Sequence, residues 1–199
     1  MTKDLLKYIK QLHPVVLDTE SKFMFFGIRK AGLHSVYRYL LKYRSITRRD
    51  CRILWDHRIT ITDIDEIFKF TIIRNPWDRV VSAFHALQQA RRPRIDKGIN
   101  FRHFIKTTFK DKGISCDPHF EFQHPKFYFN GNIFVDYVAR MENIKEDWRK
   151  IASIINCPDT LPHKYKSNRG PYRSYYDDEC KEIVQNIYQK DIDLFEYKF

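Results

Sequence analysis

Two short apolar runs, 23–28 (FMFFGI) and 68–73 (FKFTII), each stop at a basic residue and a turn, and residues at helical spacing follow each turn. Runs of this length suit strands buried on both faces of a parallel sheet. Parallel strands need a crossover connection, most often a helix. The repeated strand–turn–helix constrains the fold more than any other feature. It predicts an α/β chain that binds ligands at the carboxyl ends of its strands.

The remaining patterns agree with this. Helices are expected over 34–43 and about 77–90, the second with Val80, Val81, Phe84 and Leu87 on one face. Residues 133–140 (IFVDYVAR) are rich in strand formers. Asn143, with Glu146 three residues on, predicts a helix cap. Ile144, Trp148, Ile151, Ile154 and Ile155 would form that helix's inner face. Asp177 and Asp178 open a last helix with Cys180, Ile183, Val184 and Ile187 inward. Leu5, Leu6, Ile9 and Leu12 predict a helical extension over 1–20. With 199 residues, 43% of them hydrophobic, the chain suits a single domain over 1–199. The basic stretch 91–98 (RRPRIDKG) reads as a surface excursion.

The turn after the first run, 27–35 (GIRKAGLHS), holds two glycines and two adjacent cations and leads into a helix. Backbone N–H groups, a positive helix end and a lysine are what cradle a phosphate. Gly27 and Gly32 have the spacing of the nucleoside-triphosphate P-loop, but Leu33 and His34 stand where that motif needs Lys and Ser/Thr. After the second run, Arg74 stands at the strand tip, Pro76 sets up the helix start, and Ser82 lies about a turn and a half into the helix. A guanidinium and a hydroxyl so placed reach one phosphate. Asp78 is expected to pair with Arg79 or to stabilise the helix start.

The string F-x-F-x-x-x-R-N-P-x-x-R-x-x-S, here over 68–82, resembles the 3′-phosphate-binding motif of sulfotransferases that use 3′-phosphoadenylyl sulfate (PAPS). It is closest to the carbohydrate branch, Golgi-type and bacterial. The turn with Lys30, Gly32 and Ser35 resembles that family's 5′-phosphosulfate loop, from which Leu33 and His34 depart. Residues 135–143 (VDYVARMEN), Asp147-Trp148, 161–163 (LPH), Tyr175-Tyr176 and 187–199 are similar to its later segments.

The resemblance implies a P-loop-like sulfotransferase fold: a central, mostly parallel sheet flanked by helices. It implies sulfuryl transfer from PAPS to a hydroxyl or amine acceptor, with the 3′,5′-bisphosphate PAP as product and no metal required. Lys30 would contact the 5′-phosphosulfate and support the leaving oxygen. Arg29, Ala31, Gly32, Leu33, His34 and Ser35 would complete that cradle, and Arg74 and Ser82 would hold the 3′-phosphate. Lys166 and Arg169, in a basic loop, would return over the nucleotide. Related carbohydrate enzymes carry a catalytic histidine in the interval where His57 lies, so His57 is the candidate base. His119, in 117–123 (DPHFEFQ), resembles a segment near the acceptor.

Two other readings remain open on the residues. A nucleotide kinase would explain both phosphate turns but lacks the P-loop lysine. A net charge of +11, with arginines at 48, 49, 91, 92 and 94, suits a polyanion-binding module, although no nucleic-acid motif accompanies them. The favoured partners are a nucleotide and a glycan or other hydroxyl-bearing acceptor, itself anionic in one version, and not nucleic acid. No segment is apolar enough to span a bilayer, and the charged N-terminus is not a secretory signal. A cytoplasmic location follows; a trimmed lumenal domain would look the same. Cys51, Cys116, Cys157 and Cys180 form no metal-binding spacing and read as reduced thiols, or as disulfides in a protein that works in a secretory lumen.

Overall fold

The computed structural model describes residues 3–18, 22–43, 65–161 and 169–199. Arg48, Arg49, Cys51, His57, Pro162, His163 and Lys166 lie outside the described residues. The elements run α1 (Lys3–Ile9), β1 (Val15–Asp18), β2 (Phe23–Phe26), α2 (Leu33–Tyr43), β3 (Phe68–Ile73), α3 (Pro76–Gln88) and α4 (Phe101–Phe104). A π-helical stretch (Ile105–Phe109) continues α4. There follow β4 (Tyr128–Phe129), β5 (Asn132–Ile133), β6 (Tyr137–Arg140), α5 (Ile144–Ile154), α6 (Asp178–Ile187) and α7 (Gln189–Phe195). The chain divides into two compact units, Met1–Ile73 with Pro125–Tyr165, and Arg74–His124 with Lys166–Phe199.

The first unit carries the central sheet, in the order β1-β2-β3-β6. β2, β3 and β6 are parallel, and β1 is antiparallel on the edge. Phe23, Phe25, Phe70 and Ile72 point to one face, where Val36, Tyr39 and Leu40 of α2 and Trp148, Ile151 and Ala152 of α5 close a fully buried core. Each buried phenylalanine of that core stabilises the fold by about 2–3 kcal/mol. This is the α/β arrangement expected, a mostly parallel sheet with helices packed on it. β2 and β3 are parallel neighbours, so the turn after β2 leaves the sheet at the edge where β3 ends.

Several local expectations change. Of the run 23–28 only Phe23–Phe26 is strand: the Gly27 N–H still reaches the carbonyl of Pro14 at 2.9 Å, but a proline has no N–H to return the bond. The extension over 1–20 is not wholly helical: Val15–Asp18, all buried, forms the edge strand, as its β-branched run allows. The stretch 133–140 splits, with Ile133 ending the β4–β5 hairpin and only Tyr137–Arg140 joining the sheet. Asn143 makes no side-chain cap bond, because a 3₁₀ turn (Met141–Asn143) already winds into α5. Ile154 is 55% exposed, and Ala152 takes an inner position in its place.

The second unit is built on α3, which is buried on most of its surface. Asn75 caps it, accepting the N–H groups of Trp77 and Asp78 at 3.1 and 3.3 Å and donating to Lys198 O at 3.0 Å. Trp77 is anchored twice: its Nε1 donates to Lys181 O at 3.1 Å, and its carbonyl accepts from the Tyr176 hydroxyl at 2.9 Å. Phe84, Phe104, Phe109 and Phe120 form a chain of ring contacts beneath. The last helix is two: α6, capped by Asp177, stops near Tyr188 and α7 follows. Cys180 and Val184 face inward as expected, while Ile183 and Ile187 are only half-buried.

Candidate functional site

The turn after β2 is strained. Lys30 has φ +67° and Gly32 φ +74°, both in the left-handed region. A β-carbon at Gly32 would be tolerated for space but not for backbone. A lysine held there costs on the order of 1 kcal/mol and persists because its surroundings impose it. The Ala31 N–H donates to Ile28 O at 3.2 Å, and Ser35 N–H to Gly32 O at 2.9 Å. Those two amides are therefore engaged inside the turn. At the start of α2 the amides of Leu33 and His34 have no intrahelical acceptor, as at any helix N-terminus.

Side chains divide in the same turn. Arg29, Lys30 and Ser35 are half-buried, Ala31 is buried and His34 is exposed. Leu33 packs against the core, and its Cδ1 lies where a β-carbon on Gly27 would sit, 2.3 Å away. Leu33 thus fills the space above Gly27, so it can serve an anion only through its backbone.

In the second unit Arg74 is fixed from both sides. Gln123, 1% exposed, accepts the Arg74 N–H through Oε1 at 3.0 Å and donates through Nε2 to Arg74 O at 2.9 Å. Asp191, also 1% exposed, holds Gln123 N–H, His124 N–H and His124 Nδ1 at 2.7–2.8 Å. The Arg74 guanidinium meets Asp78 Oδ2 through Nε at 2.8 Å and Nη2 at 2.7 Å. The other oxygen, Asp78 Oδ1, accepts from Nη2 of Arg169. Asp78 therefore pairs with Arg74 and Arg169, not with Arg79, because a residue four on from Arg74 faces back over the first turn of α3.

Asp78, Ser82 and His85 follow one face of α3 at spacings of four and three. Ser82 is 7% exposed, and His85 Nε2 is buried with no hydrogen-bond partner among the described residues. Burial pushes the His85 imidazole below its ordinary pKa, and the Arg169 charge adds to that. Arg79 turns the other way. It is 1% exposed and donates from Nη1 to His119 O at 3.0 Å and from Nη2 to Glu121 O at 2.6 Å. Its part is to hold the 119–121 segment. His119 Nδ1 lies 2.6 Å from Asp117 Oδ1, and Arg94 Nη1 is 2.6 Å from the other oxygen. Desolvation would raise the Asp117 pKa, but the His119 and Arg94 hydrogen bonds win and lower it. Among the described residues no group of three histidines, cysteines or carboxylates is disposed to hold a metal. No described helix is long and apolar enough to cross a membrane.

A family model described as the sulfotransferase family matches residues 13–198. The chain belongs to the sulfotransferase family. It is a transferase, and its mostly parallel sheet with helices packed on it is consistent with that family's fold. An uncharacterized protein of Archaeoglobus fulgidus is 29% identical over 99 residues, which cover 49% of this sulfotransferase and 74% of that protein. No solved structure matches it significantly.

Of the residues singled out in the sequence, Arg74, Ser82 and Arg169 fall in the second unit around Asp78, and Arg29–Ser35 form the turn in the first. Asp78, Gln123 and Asp191 were not anticipated in these roles. The signal for Asp78 was its spacing of four from Arg74. Gln123 and Asp191 give no local signal, since their partners lie 49 and 68 residues away.

Proposed function

We propose that this sulfotransferase moves a sulfuryl group from PAPS to a hydroxyl or amine acceptor, most naturally on a carbohydrate. The observation that carries the donor assignment is the nearly buried Arg74–Asp78–Arg169 cluster, which bears net positive charge, with Ser82 one turn further along α3. Such a cluster suits a dianionic phosphate beyond the 5′ group, and that second phosphate distinguishes PAPS from ordinary adenosine nucleotides. Members of the family generally use PAPS, which agrees.

In this reading Arg74, Ser82 and Arg169 hold the 3′-phosphate. Lys30 and the amides at the start of α2 take the 5′-phosphosulfate. As the sulfur–oxygen bond to the 5′-phosphate breaks and a bond to the acceptor oxygen forms, Lys30 balances the charge growing on the leaving oxygen. His57 is the proposed base for the acceptor proton. His119, oriented by Asp117, is the proposed acceptor-side group. The exposed Arg91 and Arg92 suit an acceptor that is itself anionic, such as an acidic glycan.

Thermal shift tests the donor assignment. Stabilisation by PAP without magnesium, and none by ATP with magnesium, is expected; the reverse pattern would mark a kinase instead. Labelled PAPS with glycan, lipid and phenolic acceptors then tests the acceptor. Label found only on phenols or lipids would overturn the carbohydrate assignment.

A further inference from the structure

We infer that Asp78 is the positioning residue of the 3′-phosphate subsite: it ties Arg169 in beside Arg74, and the pair, not either arginine alone, selects a nucleotide bearing a 3′-phosphate. This rests on the donor reading above. The backbone of Arg74 is placed without Asp78, since it directly follows a buried strand and is clamped by Gln123. Arg169 comes from 91 residues beyond Asp78 and sits in no helix or strand. Two guanidiniums brought together repel, and a shared carboxylate cancels that repulsion while leaving the cluster net positive. Here Arg74 takes Oδ2 and Arg169 takes Oδ1, so one carboxylate spaces both. Side-chain exposures of 17% for Arg74, 20% for Asp78 and 9% for Arg169 keep the contacts largely out of water. Asp78 itself is fixed at the start of α3, where the Asn75 side chain accepts its N–H.

The opposite expectation also has a physical basis. If Asp78 were only a counter-charge, removing it would raise the positive charge and tighten phosphate binding. Calorimetric titration with PAP and with AMP separates the two, using the wild type, Asp78→Asn, Arg169→Gln and the double variant at one ionic strength. Each single change is expected to weaken PAP by roughly tenfold and to leave AMP within about twofold. The double variant should lose no more than the weaker-binding single variant, because both changes remove one arrangement. PAP binding unchanged or tighter in Asp78→Asn, or losses that add in the double variant, would overturn the inference. Should Asp78→Asn fail to fold, Arg169→Gln decides alone, and an undiminished PAP preference in it overturns the claim. A wild type that does not prefer PAP to AMP would instead sink the donor reading on which the inference rests.

Discussion

Gln123 reads the backbone of Arg74 from both ends, accepting its N–H at 3.0 Å and donating to its carbonyl at 2.9 Å. A side-chain amide here does what a neighbouring strand would do, at the point where β3 has ended. Gln123→Met keeps the bulk and loses both bonds. It is expected to cost about 2–4 kcal/mol of stability in urea unfolding. It should also weaken PAP more than AMP, because Arg74 loses its register.

Arg79 belongs to the frame of the second unit. Its two bonds to His119 O and Glu121 O are part-buried, and its guanidinium lies 5.3 Å from the centre of the Tyr188 ring. Arg79→Met should destabilise by about 3 kcal/mol on chemical denaturation, since two carbonyls lose a charged donor. Arg79→Lys should not fully restore it, because one ammonium nitrogen cannot match the separate reach of Nη1 and Nη2 to the two carbonyls.

Much of this was legible in the sequence. Pro76 and the apolar run before it mark the end of β3 and the start of α3. The glycines flanking Lys30 mark a turn that only unusual backbone angles can make. What was not legible lies in long-range pairing. Asp78 has a charged neighbour at Arg79, but helix geometry turns Arg79 into the core and leaves Asp78 to Arg74 and Arg169. Ile154 and Ile155 are adjacent and equally apolar, yet only one can face the sheet. Asn143 has the right chemistry for a cap, but the 3₁₀ turn before α5 removes the need. Residues 135–143 and Asp147-Trp148, which resemble the family's later segments, help to hold the sheet together. Asp136 bonds the Lys69 N–H at 2.6 Å, and Asp147 bonds Tyr137 and the Arg140 N–H at 2.8 and 2.7 Å.

His85 makes stability depend on pH with a definite sign. Its folded pKa lies below the ordinary 6.5, through burial first and the Arg169 charge second. Above 6.5 neither the folded nor the unfolded chain protonates it, and its contribution is full. As pH falls below 6.5, the unfolded chain takes up a proton that the folded chain refuses, and stability declines until the folded pKa is reached. His85→Phe should flatten that part of the profile when urea midpoints at about pH 7.5 and about pH 5.5 are compared. Equal pH dependence in the two proteins would contradict the assignment.

Cys180 should be inert. It is fully buried, and burial, with the Asp177 carboxylate beside it, pushes its thiol up to about 11. At about pH 8 roughly one molecule in a thousand would carry the thiolate. Mass-spectrometric labelling with iodoacetamide should modify the half-buried Cys157 well before Cys180 in the native protein, and both alike in urea.

Lys30, held at φ +67° in the turn after β2, is proposed to serve the leaving group in sulfuryl transfer from PAPS. Single-turnover transfer from sulfur-labelled PAPS by the wild type and by Lys30→Ala tests it most directly. At saturating donor the variant should be slower by about a hundredfold, while PAP affinity, carried by Arg74, Ser82 and Arg169, should change by less than about tenfold. Transfer at the wild-type rate by Lys30→Ala would remove Lys30 from the reaction.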